Sequence, residues 1–139
     1  MIIGMKTEFN VINKLHESKF NFYLTGSRYF GNDNDLSDWD FFVQEPQANY
    51  QCVDLVNHLL EIGFIGISKS LAGYDDSQCV EIFRYLRNGL QIDIQVVRCA
   101  ETKNEIQKCI RDCFNVTYAN MKKVERRELW KLLYSVWNK

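Results

Sequence analysis

The chain has 139 residues, 46% of them hydrophobic, which is enough for one domain with its own core and too few for a second of independent size. A formal net charge of -1 and a pI near 6.1 exclude a strongly basic nucleic-acid footprint over the whole chain but leave room for a local patch, and suit a nucleoside triphosphate or a protein partner better than a long polyanion. Five cysteines without paired spacing argue against a disulfide framework and for a reducing, cytoplasmic compartment; no apolar run has signal-peptide or membrane-span length, so no membrane is expected.

Phe9, Ile12 and Leu15 fall at helical spacing and predict a first helix from Thr7 to Ser18. The short aromatic run Phe20 to Thr25 predicts a strand. Gly26 to Ser37 is a polar loop with room for a helical turn at its start, and Asp38 to Val43 is a second strand. Pro46 suits the first turn of a helix, which runs from about Gln47 to Ile62 with Tyr50, Val53, Val56, Leu59 and Leu60 inward, and Gly63 ends it. Phe64 to Ser68 reads as a third strand and Ala72 to Ser77 as a loop. Asn88-Gly89 between Cys79–Arg87 and Leu90–Val97 is the signature of a tight hairpin. In its second arm Ile92, Ile94 and Val96 alternate with Gln91, Asp93 and Gln95, so one face is apolar and the other polar. From Glu101 the period becomes helical, with Ile106, Cys109, Ile110, Cys113 and Phe114 on one stripe. A last helix from about Tyr118 to Val136 carries Met121, Val124, Leu129, Leu132, Leu133 and Val136. This order predicts a single α+β domain over residues 1–139, a mixed β-sheet with helices packed on one side. Its motif core spans 20–97 and its C-terminal helices 101–137.

The chemistry gathers between Tyr23 and Val43. Gly26 lets a ligand approach the backbone closely. A helical turn opening after Ser27 would offer free amides to phosphates, Ser27 adds a hydroxyl, and Arg28 a forked cation. Asp38 and Asp40, two residues apart on a strand, point to one face with backbones roughly 6.5–7 Å apart. Two carboxylates this close repel unless a cation or proton offsets them. Mg²⁺, a hard ion that prefers oxygen donors, answers that need. If the arm carrying Asp93 pairs beside Asp38–Val43, Asp93 becomes a third carboxylate on the same face.

Gly26-Ser27-Arg28, then Gly31, then Ser37-Asp38-x-Asp40 with an apolar tail resembles the signature of the DNA polymerase beta-like nucleotidyltransferase superfamily, and most of all its minimal nucleotidyltransferases. The resemblance covers Leu24 to Val43 and extends to Asp93. It implies the nucleotidyltransferase fold and transfer of a nucleoside monophosphate from an NTP, ATP first, to a protein, RNA or small-molecule acceptor, with release of pyrophosphate. It further implies that Gly26, Ser27 and Arg28 bind the nucleotide, and that Asp38, Asp40 and Asp93 are catalytic and hold two Mg²⁺ ions. Trp39 is bulkier than the usual aliphatic residue between the two carboxylates, and a large acceptor-binding domain is lacking. The alternative is therefore a non-catalytic or antitoxin-like module that binds a partner through the same fold.

Other features read more plainly. A calcium loop starting at Asp33 fails where Asp38 replaces the needed Gly and Gln44 the needed Glu. Cys109 and Cys113 sit within an apolar stripe and are read as core. His16 and His58 have no partner cluster. Lys122, Lys123, Arg126, Arg127 and Lys131 alternate with Glu125 and Glu128, as on a solvated, salt-bridged face. Trp130 and Trp137 pack on the domain or form a dimer or partner surface.

Overall fold

The computed structural model describes residues 10–31, 38–46, 49–68 and 79–137. A helical segment α1 (10–16) leads into strand β1 (Phe22–Thr25), the five-residue helix α2 (Gly26–Phe30), strand β2 (Trp39–Gln44) and helix α3 (Asn49–Ile62). Strands β3 (Ile65–Ser68), β4 (Cys79–Arg87) and β5 (Leu90–Val97) follow, then helices α4 (Ala100–Asn120) and α5 (Lys123–Trp137). The start of the first helix at Thr7 and Phe9, residues 32–37 of the polar loop, and the loop from Ala72 to Ser77 lie outside the described residues.

The Asn88-Gly89 turn sets the register of the sheet. Both residues have left-handed backbone, with φ 54° and 79°, the geometry whose twist matches two antiparallel strands. The two-residue connection pairs Arg87 with Leu90, and three steps along the ladder it sets Arg84 opposite Asp93. β2 lies parallel to the other edge of β5, with Asp40 level with Asp93. β1 adds antiparallel to β2, and β3 antiparallel to β4. The result is an α+β fold with a five-stranded mixed sheet in the order β1-β2-β5-β4-β3.

Alternation along the strands divides the sheet into two unlike faces. Phe41, Val43, Ile92, Ile94 and Val96 join Phe83 and Tyr85 on one of them. Val11 and Leu15 of α1 and Leu55 and Leu59 of α3 cover that face, forming the main core. Beyond α3, the amide of Phe64 donates to Leu59 O at 2.9 Å and that of Gly63 to Leu60 O at 3.1 Å, which satisfies carbonyls the helix leaves open.

The expectation of helices on one side is corrected by α4, which packs against the opposite face near β1 and β2. There Phe42, Val97 and Ala100 form a second buried cluster with Tyr23. Gln44 holds the first turn of α4, its Oε1 accepting from the Ala100 amide at 2.7 Å while its Nε2 donates to Arg98 O. The buried stripe of α4 is Ala100, Lys103, Ile106, Gln107, Ile110 and Tyr118. Cys113 is exposed, Cys109 half-buried and Phe114 40% exposed, so the reading of Cys109 and Cys113 as core is corrected. The true face is centred on two polar residues that a hydrophobic count passes over. Gln107 donates to Leu24 O at 2.9 Å, and the Lys103 ammonium lies 5.4 Å from the Phe42 ring and 4.7 Å from the Trp130 ring. A non-helical residue, Phe114 (φ −131°, ψ 18°), then kinks the helix.

The last helix begins at Lys123 and not at Tyr118, because α4 continues through Asn120 and the chain turns at Met121. Arg126 donates to Tyr118 O at 3.1 Å and Ala119 O at 3.2 Å, capping the end of α4. Trp130 and Tyr134 carry the burial of α5, whereas Val124, Leu132 and Val136 are exposed. Trp130 is thus a core residue; it packs with Ile106, Ile110 and Tyr118, and Phe30 of α2 joins the same cluster. Among the described residues no helix is long and apolar enough to cross a membrane.

Candidate active site

The unlike face of the sheet brings the carboxylates together. Asp40 on β2 stands between Thr25 on β1 and Asp93 on β5. Parallel pairing puts the Asp40 and Asp93 side chains on one face of adjacent strands, and the hairpin adds Arg84 on the next strand. Asp38 lies one residue before β2 and is exposed. Its charge is nevertheless felt at Asp40.

Gly26 packs directly on Asp40. Its φ is +71°, and a Cβ built there would meet Asp40 Oδ2 at 2.5 Å and Asp40 Cβ at 3.0 Å. Only glycine leaves this backbone free to start α2 against the carboxylate. Gly26→Ala is therefore expected to lower stability by about 1–3 kcal/mol through the left-handed backbone and to push the Asp40 side chain aside. Urea midpoints of the two proteins check this, and equal midpoints would mean that the close approach does not matter.

The two carboxylates differ in their electrostatics. Burial pushes the Asp40 carboxyl up from 3.8 to about 7, the charges of Asp93 and Asp38 add to the effect, and Arg84 offsets only part of it. Asp93 is held by partners. Arg84 Nε donates to Oδ1 at 2.8 Å and Nη2 to Oδ2 at 3.0 Å, while Gln91 Nε2 donates to Oδ2 at 3.2 Å. This two-pronged pair is the strong form of an arginine–carboxylate contact.

Carboxylate oxygens are the donors Mg²⁺ prefers, and Asp40, cradled by Gly26 and short of positive charge, fits a divalent ion. Both oxygens of Asp93 are engaged by protein donors, so a metal ion at Asp93 competes with the positive charge of Arg84. Among the described residues no group of three or more His, Cys, Asp or Glu side chains is placed to hold a metal ion.

Arg28 lies elsewhere: its guanidinium stacks 4.2 Å from the Trp39 ring, and Trp39 packs toward the main core, on the face opposite Asp40. Ser27 follows Gly26 in the first turn of α2. Arg84 and Gln91 escaped the reading of the sequence, although a signal for both was present. A two-residue turn at Asn88-Gly89 sets residue 84 opposite residue 93, and Gln91 is the same-face neighbour of Asp93.

A separate cavity of 340 Å³ lies at the far end of β2, lined by Lys19, Tyr23, Gln44 and Cys99 among others. Comparison of the chain with models of known protein families, with curated proteins and with solved structures finds no match.

Proposed function

We propose that the chain is a Mg²⁺-dependent nucleotidyltransferase on a polymerase beta-like fold, transferring a nucleoside monophosphate, AMP first, to a protein, RNA or small-molecule acceptor. The observation that carries this reading is the meeting of Gly26 with Asp40 and of Asp40 with Asp93 on one sheet face. Sequence-distant residues of the types this chemistry needs converge there. In the reaction the acceptor oxygen bonds to the α-phosphorus as the bond to the leaving pyrophosphate breaks. Gly26 and Ser27 would seat the triphosphate, with Arg28 as a further phosphate contact once it leaves Trp39. Asp38, Asp40 and Asp93 would hold two Mg²⁺ ions, which supply charge neutralisation of the phosphates. Asp93 would also orient the attacking hydroxyl and take its proton.

The test is incorporation of label from α-labelled NTPs into candidate acceptors with Mg²⁺ present. An Asp38→Ala/Asp40→Ala double variant is expected to lose it by roughly a hundredfold or more. Equal incorporation by both proteins would dismiss the mechanism.

A second reading, a partner-binding module of the antitoxin kind, draws on the exposed Val116, Val124, Leu132 and Val136 of the C-terminal helices. Absence of both incorporation and Mg²⁺-dependent nucleotide binding, together with a stoichiometric complex with a defined protein partner, would favour it.

A further inference from the structure

Asp93 faces two claims on its oxygens, and the competition has a consequence for the order in which the site fills. Arg84 and Gln91 together place three donors on the two oxygens, at 2.8, 3.0 and 3.2 Å. A Mg²⁺ ligand must come to about 2.0–2.1 Å of the ion, and a guanidinium on the same carboxylate repels that ion. The two cations therefore compete for the group. Asp93 is the more enclosed member of the pair, with side-chain exposure of 16% against 35% for Arg84. The arginine therefore has solvent on one side and can swing out, while the carboxylate stays in the strand.

We propose that Arg84 is the resident counter-cation of this site: it occupies Asp93 until nucleotide arrives, then exchanges the carboxylate for a phosphate of the triphosphate and so admits the second metal. The proposal rests on the nucleotidyltransferase reading for the identity of the incoming ligand. The fork of Arg84 matches carboxylate and phosphate equally, so one binding mode replaces another without leaving a bare charge. Without nucleotide the exchange has no phosphate to receive the guanidinium. The nucleotide-free protein then binds divalent metal weakly, and metal and nucleotide favour each other's binding by the same factor.

Two binding measurements, neither of which needs turnover, test this. Mn²⁺ is titrated into nucleotide-free wild type and Arg84→Met, with free Mn²⁺ read by its EPR signal. Loss of the competing cation is expected to tighten Mn²⁺ binding by about tenfold or more. ATP affinity at saturating Mn²⁺ is expected to fall by a similar factor, because the phosphate partner is gone. Arg84→Lys keeps the charge without the fork and should show both effects in weaker form; it also serves if the methionine variant fails to fold by circular dichroism. Unchanged Mn²⁺ affinity in the folded variants would overturn the proposal even if the wild type transfers nucleotide. Tighter Mn²⁺ binding in a protein that transfers nothing would uphold Arg84 as counter-cation and dismiss the enzyme reading. Failure of every form to bind Mn²⁺ would overturn both.

Discussion

Asp40→Asn is expected to stabilise the metal-free protein above pH 7 and, on the nucleotidyltransferase reading proposed above, to abolish nucleotidyl transfer. The sign follows from linkage. The Asp40 carboxyl is raised from 3.8 to about 7 by burial and by its acidic neighbours, so the folded state prefers it protonated. Its favourable contribution is complete below pH 3.8, declines as pH rises, and is lost once pH passes about 7. That displacement sets an upper bound of roughly 4 kcal/mol on the penalty at pH 8. Asparagine keeps the shape and carries no charge at any pH, so it escapes the penalty, and its amide can donate to the neighbouring carboxylates. Urea midpoints in the presence of EDTA should favour the variant at pH 8 and converge near pH 4. On the same reading, Mg²⁺ added at pH 8 should reverse the order by stabilising the wild type alone. A variant that is less stable than wild type by the same amount at pH 5 and pH 8 would mean that Asp40 carries no such strain.

The second large effect is expected at Trp130, far from the carboxylates in sequence. This indole is fully buried; its Nε1 donates to the Tyr118 hydroxyl at 3.1 Å, and the Lys103 ammonium lies over its ring. Trp130→Ala opens a large cavity and should cost about 3–5 kcal/mol. Against the roughly 5–15 kcal/mol that holds a typical domain together, this leaves a marginal protein. The loss should fall on the whole domain. Gln107 ties α4 to β1, Ala100 lies in one cluster with Phe42, and Tyr118 packs 4.7 Å from Phe30 of the turn that carries Gly26 and Ser27. One cooperative transition with a lowered urea midpoint and an unchanged slope is the expected result. Val124→Ala, at an exposed site on the same helix, should move the midpoint by no more than about 0.5 kcal/mol. A separate early transition of the helical hairpin in Trp130→Ala would show that α4 and α5 stand apart from the sheet.

Much of this architecture can be read from local patterns. The hairpin was legible residue by residue, because two left-handed positions in succession have few occupants other than Asn-Gly and because period-2 alternation sorts a strand's faces. Reading β2 as apolar on one side and acidic on the other depended on the same alternation. The helical hairpin was legible only in outline. The buried stripe of α4 runs through Lys103 and Gln107, whose aliphatic stems, with the ring contacts of Lys103 and the hydrogen bonds of Gln107, let them occupy a face that hydrophobicity alone assigns to Cys109 and Cys113. On α5 the aliphatic residues Val124, Leu132 and Val136 face outward because α4 offers its packing surface to Trp130 and Tyr134.

The residues of the candidate site follow the same division. Gly26, Asp38 and Asp40 belong to a contiguous stretch, so their types and spacing could be read directly, and a two-residue turn puts Arg84 opposite Asp93. The sequence by itself determined these local pairings, since each depends on backbone geometry over a few residues. Only the tertiary structure decided that β5 lies parallel to β2, about fifty residues later in the chain, with Asp93 level with Asp40. That choice depends on burying Phe41, Val43, Ile92, Ile94 and Val96 together beneath α1 and α3. The long-range hydrophobic packing of one face thereby sets the distance between two charges on the other.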